Sequence, residues 1–265
     1  MREPSRRQAN WRCAVAPKRR RTAASIMLLA AFRGHSTKTD VRRAARAASF
    51  FTRQTMSLVL FPIILYKDAA NAGICEPVGL FVYYVNTLLR GDVPAEDLPG
   101  AFLDLYALDF YEKQVNNGGH SQFIGNSGAR LQANLEHALR GAQMLGVEEL
   151  VQLLSECWDW CEANPAERDR QDGWRNRAAT LDALDERLYA LEYDDIAYAS
   201  FVAEQPERVQ TWIKAATGAT DFRARSKYYL AAGAWLLKQP TTELLASSDV
   251  DAALENVLKQ YARTS

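Results

Sequence analysis

Apolar residues recur at intervals of three and four along most of this chain, and that spacing restricts it to helices. Leu105, Leu108 and Val115 follow it beside Phe110 and Tyr111, and Leu131, Leu135, Leu139, Ala142 and Leu145 come next. Val147, Leu150, Val151, Leu154, Trp158 and Cys161 continue it, as do Leu181, Leu184, Leu188 and Leu191. Val209, Trp212, Ile213 and Ala216 form another group, and Val250, Ala253, Leu254, Val257, Leu258 and Tyr261 the last. Each group fits one face of a 3.6-residue helix. No segment alternates convincingly at period two, and no repeat of fixed length occurs. The expected fold class is all-α: a single multi-helix acidic domain with a C-terminal helical extension.

Gly and Pro mark the boundaries. A helix is expected from about Gly100 to Asn116, another over Ala129–Leu145 closed by Gly146, and a third over Val147–Ala163 stopped by Asn164-Pro165. Ala166 to Arg177 is charged and contains Gly173, so it reads as a surface loop. Tyr193-Asp194-Asp195 breaks the pattern before a short helix at about Ile196–Glu204. Pro206 suits the first turn of the next helix, and Gly218 closes it. Lys227 to Leu237 is apolar nearly all round, as a helix buried on several sides would be. Ser248 with Asp251 forms a variant capping box for the final helix. Pro77 to Leu89 suits a buried helix or a strand, and its place among helices favours the helix.

The net charge of zero hides a strong asymmetry. Residues 1–55 hold 14 Lys/Arg and 2 Asp/Glu, residues 56–208 hold 11 and 25, and residues 209–265 hold 7 and 5. Three regions follow: a basic leader over 1–55, an acidic helical domain over 56–208, and the helical extension over 209–265. The leader reads as disordered or not natively made, with Met56 as the true start. Its apolar run Ala23–Phe32 follows basic residues but exits through Arg33-Gly34-His35, which lacks a small-residue cleavage site. Ser57 to Leu65 is too short to cross a bilayer. Four cysteines form no dense disulfide pattern, so a reducing cytoplasm fits best. Cys157 and Cys161 share a helix face and read as buried free thiols. A metal site there would need two more ligands, with His137 the nearest candidate.

Polar residues and glycines crowd together once, at Asn116-Asn117-Gly118-Gly119-His120 and on through Gln122, Phe123 and Asn126 to Ser127-Gly128. Asn117-Gly118-Gly119 can supply positive-φ residues that close a helix. Gln122, Asn126 and Ser127 can then bond the freed backbone groups. The stretch reads as a structural joint between helices, with a ligand site as the sharper alternative. Phosphate loops, nucleophile elbows and zinc-binding helices are missing from the sequence. His120 with Glu112 could form a base and its orienter, but no nucleophile matches them. The expectation is a protein that is not an enzyme and uses no cofactor.

Val115-Asn116-Asn117-Gly118-Gly119, Gln122-Phe123 and Asn126-Ser127-Gly128 together resemble the signature of the DNA mimic protein nineteen family, over roughly residues 77–208. The family carries Glu where this chain has Gln114, and an aromatic where it has His120. Replacing His120 with Phe should therefore be nearly silent. The resemblance implies an all-helical, acidic homodimer that imitates duplex DNA and occupies a DNA-binding protein, a transcriptional regulator or a nucleoid-type protein. It implies no direct nucleic-acid binding by the acidic domain and no membrane.

The distribution of acids fits that expectation. Gly91–Glu112 carries six acids, Gly141–Glu167 six and Leu188–Glu207 five, with no Lys or Arg in any of the three. The acids expected to face a partner are Asp104, Asp109, Glu148, Glu149, Glu156, Asp159 and Glu162. They lie on helices, which can hold carboxylates at fixed spacing against a basic groove-binding surface. Trp160 falls off the apolar stripe of its helix, which leaves it to a dimer or partner interface or to the Ala166–Arg177 loop. Two alternatives stand beside DNA mimicry: an enzyme using the Asn-Gly-Gly-His turn, and a helical structural or immunity-type binding module.

Overall fold

A computed structural model describes residues 61–67, 73–216 and 223–264 of the chain. The basic leader, Cys13, the start at Met56 and the closing Gly218 lie outside the described residues. Strand β1 (Ile63–Tyr66) leads into α1 (Glu76–Arg90), with Pro77 in its first turn and Gly91 ending it. The long α2 (Gly100–Ser127) follows, then α3 (Leu131–Leu145), which ends at Gly146 in the left-handed region, φ 69°. Helix α4 (Glu148–Ala163) stops at Asn164, and one helical turn, Pro165–Arg168, opens the loop beyond it. Then come α5 (Asp182–Tyr189), α6 (Asp195–Ala203), α7 (Glu207–Ala216), α8 (Lys227–Lys238), β2 (Thr242–Leu245) and α9 (Ser247–Thr264).

The all-α class holds, and Pro77 to Leu89 is helical as its position implied. One small departure is the parallel pairing of β1 with β2, Ile63 opposite Thr242 and Tyr66 opposite Leu245. Four-residue strands carry too few positions to show alternation, and Ile63, Ile64 and Leu65 are all buried. They therefore read as a plain apolar run.

Burial on α2 explains its central place. Phe102, Leu105, Leu108, Tyr111, Val115 and Phe123 are inaccessible, and α3 lies along it with Leu135, Ala138 and Ala142 inward. The backbones come close where a Cβ at Gly141 would lie 2.6 Å from the Asp104 carbonyl oxygen. Residues 209–264 supply part of this same core. Helix α8 is buried from Tyr228 to Leu237 apart from a half-buried Trp235, and α9 places Val250, Leu254 and Val257 inward. At the start of α9, Ser248 Oγ bonds Asp249, 3.0 Å away, in place of the box expected with Asp251.

Candidate protein-interaction surface

The Asn-Gly-Gly stretch is a joint between two helical segments of α2, as the sequence implied. Gly118 (φ −161°, ψ 24°) and Gly119 (φ 74°, ψ 179°) leave helical geometry, and α2 resumes at His120. Only Gly119 has the positive φ expected of the pair. Its backbone also faces Asp185 of α5 so closely that a Cβ would run into the carboxylate. The kink frees the His120 N–H, which donates to Asp185 Oδ1 at 2.7 Å. The His120 ring Nδ1 meets the same oxygen at 2.5 Å, and Nε2 meets Tyr111 Oη at 2.8 Å. Arg177 donates to the other Asp185 oxygen at 2.5 Å.

Asp185, rather than the amides of the motif, thus satisfies the kink. The expected bonds from Gln122 and Asn126 to freed backbone groups are replaced by side-chain pairs. Gln122 Nε2 and Asn126 Nδ2 both donate to Gln114 Oε1, at 2.9 and 2.5 Å, and Asn117 donates to Gln122 Oε1 at 3.0 Å. Asn116 donates to the Glu112 carboxylate at 2.7 Å, and Phe123 packs edge-on against Tyr111 at 5.0 Å. Gln114 and Asn126 would lie ~18 Å apart on a straight helix at ~1.5 Å rise per residue, so their bond requires the two segments to fold toward each other across the joint.

His120 does not meet Glu112. Glu112 instead accepts from Tyr229 of α8 at 2.9 Å, beside a cavity of about 90 Å³ whose walls include Asn116, Glu192 and Tyr228. Burial pushes the Glu112 carboxyl up to about 7. Both His120 ring nitrogens are engaged and the residue is fully buried, which leaves no acid–base atom for a substrate. His137 bonds Asp104 at 2.6 Å rather than the cysteine pair. Cys157 and Cys161 are free and buried, as expected, and the bond to Cys161 together with burial pushes the Cys157 thiol up. Among the described residues no group of three or more His, Cys, Asp or Glu is placed to hold a metal ion. None of the described helices is long and apolar enough to cross a membrane.

The acids divide into three kinds. Asp109 is a correction: it is 2% exposed, bonded to Lys113 at 2.9 Å and to Tyr228 at 3.3 Å, and cannot face a partner. Burial raises its carboxyl above the usual range, with Lys113 opposing. Asp104, Glu149 and Glu156 reach the surface but carry cations. Arg140 and His137 hold Asp104, Lys227 holds Glu149 at 2.6 Å, and Arg187 grips Glu156 at 2.5 and 3.1 Å. The hydrogen bonds from Lys227 and Arg187 pull those two carboxyls below their ordinary value. Glu148, Asp159 and Glu162 are exposed and have no ionic partner among the described residues. At 100° per residue these three fall on one stripe of α4, and at ~1.5 Å rise they span about 20 Å.

Sequence reasoning missed Trp174, which is 91% exposed. Its loop is held firmly. Asp172 Oδ1 accepts the N–H groups of Trp174, Arg175 and Asn176 at 3.2, 2.7 and 2.9 Å. Ser121 accepts from Gly173 and donates to the Asn176 carbonyl, each at 3.0 Å, so the motif helix is the platform for this loop. The signal was the Asp172-Gly173-Trp174 run itself, an Asx-type turn followed by an aromatic. Trp160 packs toward the end of that loop, donating to Thr180 at 2.9 Å.

Residues 96–216 match the family model described as DMP19-like protein. This helical region belongs to the DMP19-like family. The match runs from just before α2 to the end of α7, later at both ends than the 77–208 suggested by the motif. It contains the kink, Asp185, the α4 acids and the Trp174 loop, while α1, α8, β2 and α9 lie outside it. Comparisons with curated proteins and with solved structures each found no match.

Proposed function

We propose that this DMP19-like protein is a non-catalytic cytoplasmic binder that takes a basic DNA-binding regulator in place of the regulator's DNA. The observation that carries the reading is the α4 stripe of Glu148, Asp159 and Glu162, exposed on a fixed element and without cation partners among the described residues. DNA presents a phosphate every 3.4 Å of axis on each strand, so about 20 Å of helix covers several phosphate steps. Each exposed pair is worth about 0–1 kcal/mol, so affinity comes from the array. Trp174 supplies an exposed apolar anchor, in the manner of aromatic hot spots. Two copies associate through α6, an apolar helix with no buried residue and with Ile196 85% exposed.

The test is capture of partners on the immobilised protein, with duplex DNA as competitor and salt raised from 0.1 to 1 M, over which the Debye length falls from about 10 to about 3 Å. Glu148→Gln/Asp159→Asn/Glu162→Gln should abolish capture of DNA-binding proteins. Glu149→Gln/Glu156→Gln should weaken it less, because Lys227 and Arg187 already neutralise those positions. Capture indifferent to salt, DNA and the first set of changes would leave an ordinary apolar interface as the better account.

A further inference from the structure

Away from the acidic surface, a cavity of about 460 Å³ lies where β1, the start of α1, α7, α8 and β2 meet. Its walls are mainly apolar, from Leu65, Pro77, Leu237 and Leu244, and Trp212 of α7 forms part of them. Two features set it apart from a packing defect. The Trp212 indole is 4% exposed, yet its Nε1–H has no hydrogen-bond acceptor among the described residues. Buried indole donors normally find a partner, and this unmatched one belongs to a residue of the cavity wall, beneath the surface that a ligand entering the cavity would press against. The ring cannot swing away easily, because the space left by Gly233 of α8 seats its far edge and a Cβ there would run into it.

The second feature is charge. Lys67 and Arg208 line the cavity, both exposed and neither in an ion pair among the described residues, against a single acid, Glu207. Apolar walls, one buried donor and two cations match a molecule with an apolar body and one anionic oxygen-bearing head. The volume lies within the range of small-molecule sites, which begins at about 300 Å³. We propose that this cavity binds a small amphiphilic carboxylate, its chain against Leu65, Leu237 and Leu244 and its head among the Trp212 N–H, Lys67 and Arg208.

Calorimetric titration of the full chain with decanoate tests this, with decanol and decylammonium as neutral and cationic probes of equal length. Decanoate should bind at one saturable site, about tenfold or more tighter than either relative. Lys67→Gln/Arg208→Gln changes only exposed side chains, so the fold should survive. It should weaken decanoate about tenfold and leave decanol unchanged. Trp212→Phe should also weaken decanoate, through loss of the donor. Absent or non-saturable uptake, equal affinity for the three head groups, or indifference to the double change would each overturn the proposal. Neither outcome depends on partner capture through α4.

Discussion

At the level of single residues, the two glycines of the kink are not equivalent. Gly119→Ala places a Cβ at φ 74° and against the Asp185 carboxylate. It should cost about 1–2 kcal/mol for the backbone alone. Gly118 sits in extended backbone that any residue adopts, and a Cβ there meets only the Gln122 side chain. Gly118→Ala should therefore cost clearly less, and urea denaturation of both variants would show the order. His120→Phe was expected to be silent, but the structure points the other way. Tyr111 and Asp185 are buried and would each lose a partner, a loss of about 1–3 kcal/mol. A His120→Phe variant within experimental error of the parent in the same denaturation would contradict the network. Glu112 gives a pH signature. Its carboxyl is raised from 4.5 to about 7 by burial, so the folded chain keeps a proton that the unfolded chain releases. That contribution to stability is complete below pH 4.5 and is lost as pH rises through 7. Glu112→Gln mimics the protonated form, so its advantage over the parent should grow across that window, to no more than about 3 kcal/mol. Melting curves from pH 4 to 8 would reveal it.

At the level of elements, the loop carrying Trp174 separates binding from stability. Its backbone is fixed by Asp172 and Ser121, while the indole touches little of its own protein. Trp174→Ala should leave stability within about 0.5 kcal/mol of the parent and weaken partner capture by about 1 kcal/mol or more. Capture unchanged by that substitution would remove the loop from the interface. On α4, the apolar stripe inferred from spacing needed adjustment. Leu153 and Cys157 are buried where Val151 and Trp158 are only half-buried, because α5 packs to one side of the expected stripe. With Cys157 and Cys161 buried and Cys75 half-buried, alkylation of the folded protein should modify Cys75 before the pair. Mass spectrometry of the digested peptides reads the order.

For the whole molecule, the C-terminal segment is part of the fold. Removing everything after Arg208 would strip α8 from the core and leave the buried Asp109 and Glu112 without Tyr228 and Tyr229. A chain ending there should show no cooperative thermal transition by far-UV circular dichroism, and a sharp one would mean that the acidic region folds by itself. The charge asymmetry of the sequence also changes meaning once folded. Of the six acids in Gly91–Glu112, Asp109 and Glu112 are inside, and Tyr261 of α9 bonds Asp97 at 2.6 Å. In the third acidic stretch Arg225 pairs with Asp195.

Spacing alone determined the helical class, the buried face of α7 at Val209, Trp212, Ile213 and Ala216, the burial of α8 on several sides, and the left-handed stop at Gly146. These depend on contacts within a few residues, which a linear pattern records. The motif and its family were legible for the same reason. Tertiary structure decided the rest, because it depends on groups far apart in the chain. Asp185 reaches His120 across 65 residues, and Lys227 reaches Glu149 across 78. β1 finds β2 only when the two ends of the described chain come together. A carboxylate's role depends on whether such a partner arrives. Asp109 and Glu148 look alike in sequence, yet one is locked in the core by Lys113 and Tyr228 and the other stands in solvent with no cation among the described residues.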